Sequence, residues 1–564
     1  MSRLPRLIRS TVLPTLFLLA AETMTYAQAP ADAAREVIFD HEQRIRPLEI
    51  AAGRAWWDAN VTGADEAFKL KEETENKLDA VLGDRERFAK LKELDQTKLK
   101  DPLLARQIHI LYLQALPKQV DPDLLKQMVA RGNAIEKRFG VFRAKVEGKE
   151  LPDSEVRKIL KQSRDTDQRR AVWEASKQVG REVEQELRTL VELRNKAARE
   201  LDFADYHAMQ LEINEQSQDQ VVRLFDDLDK LTRGPFQAAK REIDAHLAEM
   251  YKIGVDELQP WHYHDPYFQE APAIYKTSLD AAYAKADIPE LCRKFYAGIG
   301  LPIDDVLKRS DLYEKPGKNP HAFCTDIDRE GDVRVLANIV PNEYWTGTML
   351  HELGHSVYSS KNIPAKLPYV VRTDAHILAT EGVAMMFERF SKSADWLEQM
   401  GLSVEDPAAF DEVGEKMRRN KLLIFSRWCQ VMLRFEKGLY HDPAQDLNKL
   451  WWDLVEQYQL IKRPEGRDAP DYASKIHIVV APAYYHNYMM GELFACQVNH
   501  AIARDVLKTA EAKNASYVGR KDVGKFMKER VFAPGRTLTW NELTKFATGQ
   551  ELNPKAFAAD FSAE

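Results

Sequence analysis

Only four cysteines occur in 564 residues, Cys292, Cys324, Cys429 and Cys496, and none stands at a short paired spacing from another. That excludes a disulfide scaffold and a thiolate zinc site, and leaves isolated bridges or buried free thiols as the readings. An excess of positive charge is missing too. Lys and Arg number 81 against 88 Asp and Glu, a net charge of −7, so there is no basic field for a phosphate backbone and nucleic acid is disfavoured as a partner. Beyond the N-terminal segment no apolar run is long enough to span a bilayer. Internal repeats, low-complexity tracts and an obvious flexible linker are absent as well.

What is present is 44% hydrophobic residues, ample for a sizeable core. The N-terminus places Arg3, Arg6 and Arg9 ahead of an apolar run and then small residues, the pattern of a secretory signal over 1–29, with cleavage near Ala27 or Ala29. Pro14 and Glu22 interrupt the run, which disfavours an uncleaved membrane anchor. The expectation is an exported chain, periplasmic or extracellular, whose residues 30–564 form one domain.

From about residue 34 to 255 apolar residues recur at three and four, as in amphipathic helices. The stretch 86–116 reads as two helices broken at Asp101-Pro102. A turn-rich aromatic passage, ELQPWHYHDPYFQEAP (257–272), follows. HAFCTDIDREGDVRVLANIVPN (321–342) reads as a β-hairpin around DREGD, and helix returns after Pro341. The fold class expected is mainly α, with a small sheet next to the helix that follows.

That helix carries TMLHELGHSVYSS (348–360). Residues four apart project from one helical face, so His351 and His355 can offer imidazole nitrogens to one metal ion, zinc by the motif. Glu352, one step round, is placed to accept a proton from the metal's water. Leu350, Leu353 and Val357 give the helix an apolar backing, and Gly354 admits close neighbours. No HxxGxxH continuation follows. The third ligand expected is Glu381, a carboxylate in an otherwise apolar helical run whose burial a metal would relieve, with His376 the competing ligand or a structural residue. Glu388 reads either as a carboxylate holding a ligand histidine or as a solvated helix residue. Further on, KIHIVVAPAYYHNYMMGELFACQVNHAI (475–502) has few charges but carries His477, Tyr484, Tyr485, His486 and Tyr488. Alone it reads as buried aromatic packing; beside a zinc helix, its hydroxyls become candidates for a peptide carbonyl or an oxyanion.

Together these motifs resemble the peptidyl-dipeptidases of the angiotensin-converting enzyme type, over most of the mature chain. The resemblance implies a two-lobed helical zinc metallopeptidase with a deep central cleft, the small sheet lying beside the zinc helix. HELGH and Glu381 are similar to that family's ligands. HAFCTDI resembles its substrate-aligning strand, which implies that His321 and the backbone of Ala322 contact the peptide. KIHI and YHNY resemble its Lys-Phe-His-Ile and Tyr-x-Arg-Tyr. Lys475 and Tyr485, with Gln269 of DPYFQEAP, would then hold the substrate's C-terminal carboxylate, His477 a substrate carbonyl, and Tyr488 the tetrahedral oxyanion. Two departures stand out. Asn487 occupies the place of the family's chloride-binding arginine, which puts chloride activation in question, and Met385 replaces an aspartate that follows the third ligand. The Glu381–Glu388 spacing also resembles the thimet-type oligopeptidases, which cut internally. The alternative reading from another class is a peptide-binding protein on the same fold that has lost catalysis.

Overall fold

Asp101 starts a helix as the sequence predicts: its carboxylate accepts from the amides of Leu103 (2.9 Å) and Leu104 (3.2 Å), and Pro102 fills the first helical position, where no amide hydrogen is needed. The preceding helix, Arg85–Gln96, ends before this break. The computed structural model describes residues 15–275, 279–513 and 515–561, with side chains from residue 30 onward. Of the expected export signal at 1–29, residues 1–14 and all side chains lie outside that description.

The chain divides into two compact units. One comprises Met1–Ala52 with Leu70–Gln119 and includes the two helices just described. The other comprises Gly53–Lys69 with Val120–Glu564 and contains every candidate site residue. Among the described residues helices dominate and the only sheets are two antiparallel hairpins, so the fold is mainly α. No described helix is long and apolar enough to cross a membrane. All four cysteines are free thiols, and Cys292, Cys429 and Cys496 are buried.

In the second unit the helix Pro122–Val141 leads to the hairpin β1 (Ala144–Val146) and β2 (Lys149–Leu151), turned by Glu147 and Gly148 at positive φ. The helix α1 (Gln178–Glu200) follows. The predicted hairpin is β3 (Phe323–Asp326) with β4 (Val333–Leu336), in the register Phe323↔Leu336 to Asp326↔Val333. After it come α2 (Glu343–Val357), α3 (Ile377–Glu388), α4 (Pro407–His441), the short α5 (His477–Val480) and α6 (Tyr485–Ile502).

Helix α2 lies against β3 and β4 on one side and α3 on another. It begins at Asn342, whose side chain accepts from Trp345 N at 2.8 Å. Leu350, Leu353 and Val357 are fully buried behind it. Helix α3 packs against both α2 and α6, and two glycines permit this. A Cβ on Gly354 would meet Ala384 Cα at 2.7 Å, and one on Gly382 would meet the Gly491 carbonyl oxygen at 2.6 Å. A larger residue at Gly354 would push α2 and α3 apart, and one at Gly382 would push α3 away from α6.

Candidate metal centre and the groups around it

The close approach of α2 and α3 brings His351, His355 and Glu381 together, with one ligand atom from each within 4.8 Å of the others. The two Nε2 atoms are 3.2 Å apart. Glu381 Oε2 lies 3.5 Å from His351 Nε2 and 3.9 Å from His355 Nε2. Each ring is held from behind. His351 Nδ1 is 3.2 Å from Glu388 Oε2, and His355 Nδ1 is 2.8 Å from the Thr380 hydroxyl. With its Nδ1 hydrogen donated to a carboxylate, His351 turns Nε2 toward the other ligands, and on losing the Nε2 proton it would present the tautomer a cation needs. Glu388 is fixed in turn by the Lys421 ammonium of α4 at 2.8 Å.

The electrostatics of this donor set call for a cation. Burial pulls the His351 pKa down, yet the carboxylates of Glu381 and Glu388 drive it well above the ordinary imidazole value. His355 goes the other way, lowered to about 4 by burial and by the charge on His351. In the protein alone, a proton on His351 thus supplies the positive charge that two buried carboxylates demand. Two imidazoles and a carboxylate with one open side are the donor set of a catalytic zinc site, and these residues fit it. His376 does not join them: it caps α3, its Nδ1 accepting from Leu378 N at 3.1 Å. Glu388, one turn beyond Met385, is the carboxylate that touches a ligand histidine.

Glu352 is 7% exposed and points into a cavity of about 370 Å³ that His351, His321, Ala322, Thr348 and Lys421 also line. Burial, reinforced by the charges of Glu381 and Glu388, raises its pKa to about 7, while His351 and the Cys324 amide hold it down. A carboxylate balanced near neutrality can both take and return a proton.

Lys475, Gln269 and Tyr485 also come together. The Lys475 ammonium donates to Gln269 Oε1 at 2.7 Å and sits 5.1, 5.2 and 5.4 Å from the ring centres of Tyr267, Trp428 and Tyr485. Burial lowers its pKa to about 8, against the attraction of Asp265. The His477 ring lies tilted 5.1 Å from that of Tyr485, which is 5.8 Å from Tyr488. Burial and the nearby Glu381 charge raise the Tyr488 pKa, which keeps its phenol protonated as a donor. Asn487 is buried and accepts from Gln216 Nε2 at 2.7 Å, while Gln216 Oε1 is 2.8 Å from His486 Nε2. A neutral amide network therefore fills the place where the family carries an arginine.

One helix connects the two clusters. Lys421, Phe425 and Trp428 recur along one face of α4. Lys421 meets Glu388, Phe425 faces Tyr485 and Tyr488, and Trp428 faces Lys475 and Tyr485. Sequence reasoning passed over Lys421, Phe425, Trp428 and Thr380. Only the i, i+4, i+7 spacing in α4 carries a trace of this face.

Comparison with known proteins identifies a family. The peptidase M2 family model, described as angiotensin-converting enzyme, matches residues 28–236 and 259–563. The angiotensin-converting enzyme of Theromyzon tessulatum is 20% identical over 325 residues, 55% of this chain and 51% of that protein. The chain thus spans about half the length of the curated relative it matches.

Proposed function

The chain belongs to the angiotensin-converting enzyme family, peptidase M2, and from that premise we propose that it is a zinc-dependent peptidase releasing C-terminal dipeptides. The observation that carries the reading is the convergence of His351 Nε2, His355 Nε2 and a Glu381 oxygen, each imidazole already held through its other nitrogen. When bound by these three residues, zinc supplies Lewis-acid polarisation of the scissile carbonyl and acidifies the attacking water.

The chain's own groups do the rest. Glu352 accepts the proton of the attacking water and returns it to the leaving amine, a task suited to its pKa of about 7. Tyr488 donates its hydroxyl to the oxyanion, and His477 to a substrate carbonyl. His321 and the Ala322 backbone align the peptide along the cavity. Lys475, Gln269 and Tyr485 hold the terminal carboxylate, a charge-assisted contact strengthened by the apolar cage around the ammonium.

Spacing along α4 sets a scale of a few residues for the departing product. From Lys421, at the metal end, to Trp428, at the Lys475 end, is seven residues, or about 10 Å of helix. Two extended residues span roughly 7 Å, and the contacts at either end account for the remainder. Internal cutting, as in thimet-type oligopeptidases, is the second reading, favoured by Glu388 standing seven residues after Glu381 and touching His351. Mass spectrometry of the products of a decapeptide decides: successive loss of C-terminal dipeptides supports the first reading, and a single internal cut the second. Export to a periplasm or the cell exterior is part of the proposal, while chloride, with neutral Asn487 in place of the arginine, is not.

A further inference from the structure

The segment between α5 and α6 joins two groups of candidate substrate contacts: Lys475 and His477 lie on one side of it, Tyr485 and Tyr488 on the other. Its conformation is held from outside the cavity by two buried polar residues, Arg194 and Glu436. Helix α5 has four residues, so its last carbonyls have no partner within the helix. Arg194 of α1 supplies one, its guanidinium donating to the carbonyls of Ile478 (3.2 Å) and Val479 (2.6 Å) and to the Tyr440 hydroxyl (3.0 Å). Four residues on, the Ala483 amide donates to Glu436 Oε1 at 2.9 Å. Ala483 has φ +54°, a left-handed conformation that an alanine resists and a glycine does not. Arg194 is 8% exposed, Glu436 1% and Ala483 5%, so water does not replace these bonds. Glu436 and Tyr440 are one turn apart on α4, the same helix that spans the metal and carboxylate ends of the site.

We propose that Arg194 and Glu436 are positioning residues that clamp the 478–483 link, fixing the oxyanion donor Tyr488 against the carboxylate-holding Lys475 and the carbonyl-contacting His477. The proposal rests on the peptidase reading. Without the Glu436 acceptor, Ala483 relaxes out of its left-handed conformation and α6 starts at a different angle, so the transition state loses Tyr488 more than the ground state loses Lys475.

The test is a Glu436 series on the zinc-loaded full chain with a short fluorogenic peptide acid, with hydrogen exchange followed over 476–488. Glu436→Ala lowers kcat at least tenfold, changes KM less than threefold, and speeds exchange in this segment but not in α2. Glu436→Gln, which keeps the acceptor, stays within threefold of the parent. Adding Ala483→Gly to Glu436→Ala restores most of kcat, because glycine holds the turn unaided. A folded Glu436→Ala protein with kcat within twofold of the parent overturns the proposal, as does a Gln variant as impaired as the Ala variant, or a double variant with no recovery. Should Glu436→Ala fail to fold, Arg194→Lys replaces it, expected at least fivefold down in kcat, with parental kcat the overturning result. A zinc-loaded parent that cleaves no peptide rejects the peptidase reading instead, and the clamp then stands or falls on whether exchange accelerates.

Discussion

His351 Nδ1 and Glu388 Oε2 are 3.2 Å apart, with Glu388 one helical turn beyond Met385. Because Lys421 holds the other Glu388 oxygen at 2.8 Å, the imidazole is oriented by a chain of three residues from three helices. Outer partners of this kind are worth about 10- to 100-fold in metal affinity. Glu388→Ala is therefore expected to weaken zinc binding by about that factor, read by competition with a chromophoric chelator, and Lys421→Met by less. Unchanged affinity in Glu388→Ala would show the contact to be incidental.

Glu352 is not among the three residues that come together as candidate ligands. Glu352→Gln should keep one zinc per chain and lose about 10²- to 10⁴-fold in kcat, the usual worth of a general base. Metal analysis beside steady-state kinetics checks both halves, and activity retained in this variant would contradict the assignment.

The Lys475 ammonium is the charged form, present below its pKa of about 8 and lost above it. For a free-acid peptide, kcat/KM should therefore fall as the pH rises through about 8. A C-terminally amidated peptide should be a poor substrate with no such fall. Lys475→Met should cost about 1.5–3 kcal/mol of binding, roughly 10- to 100-fold in KM, since a hydrogen bond between charged groups is lost. Equal rates on acid and amide would remove the carboxylate-anchoring role.

Gly354 governs the distance between the ligand helices. Gly354→Ala places a methyl 2.7 Å from Ala384 Cα, and overpacking of that kind destabilises by about 1–3 kcal/mol. Urea unfolding should show that loss, with weaker zinc binding alongside as α2 and α3 separate.

How much of this the sequence discloses follows from the range of each interaction. His351 and His355 are legible because a four-residue spacing determines a helical face, and Glu381 because a carboxylate in an apolar run needs a reason. The 321–342 hairpin shows alternation over two runs, whereas β1 and β2, three residues each, are too short to show any. Glu388 reads equally well as solvated, and only its contacts with His351, 37 positions away, and Lys421, 33 away, give it a role. Lys421 is one of 81 basic residues, and nothing local distinguishes it. His376 caps a helix with an imidazole where Ser, Thr, Asp or Asn is usual, so it presents itself as a metal ligand. Arg194 and Glu436 stand more than 40 positions from the segment they hold.

The account depends on where a zinc ion sits. Anomalous diffraction at the zinc edge from crystals of the loaded protein should give one strong peak, about 2.0–2.2 Å from His351 Nε2, His355 Nε2 and a Glu381 oxygen. A peak elsewhere in the chain, or protein that takes up no zinc at all, would contradict it.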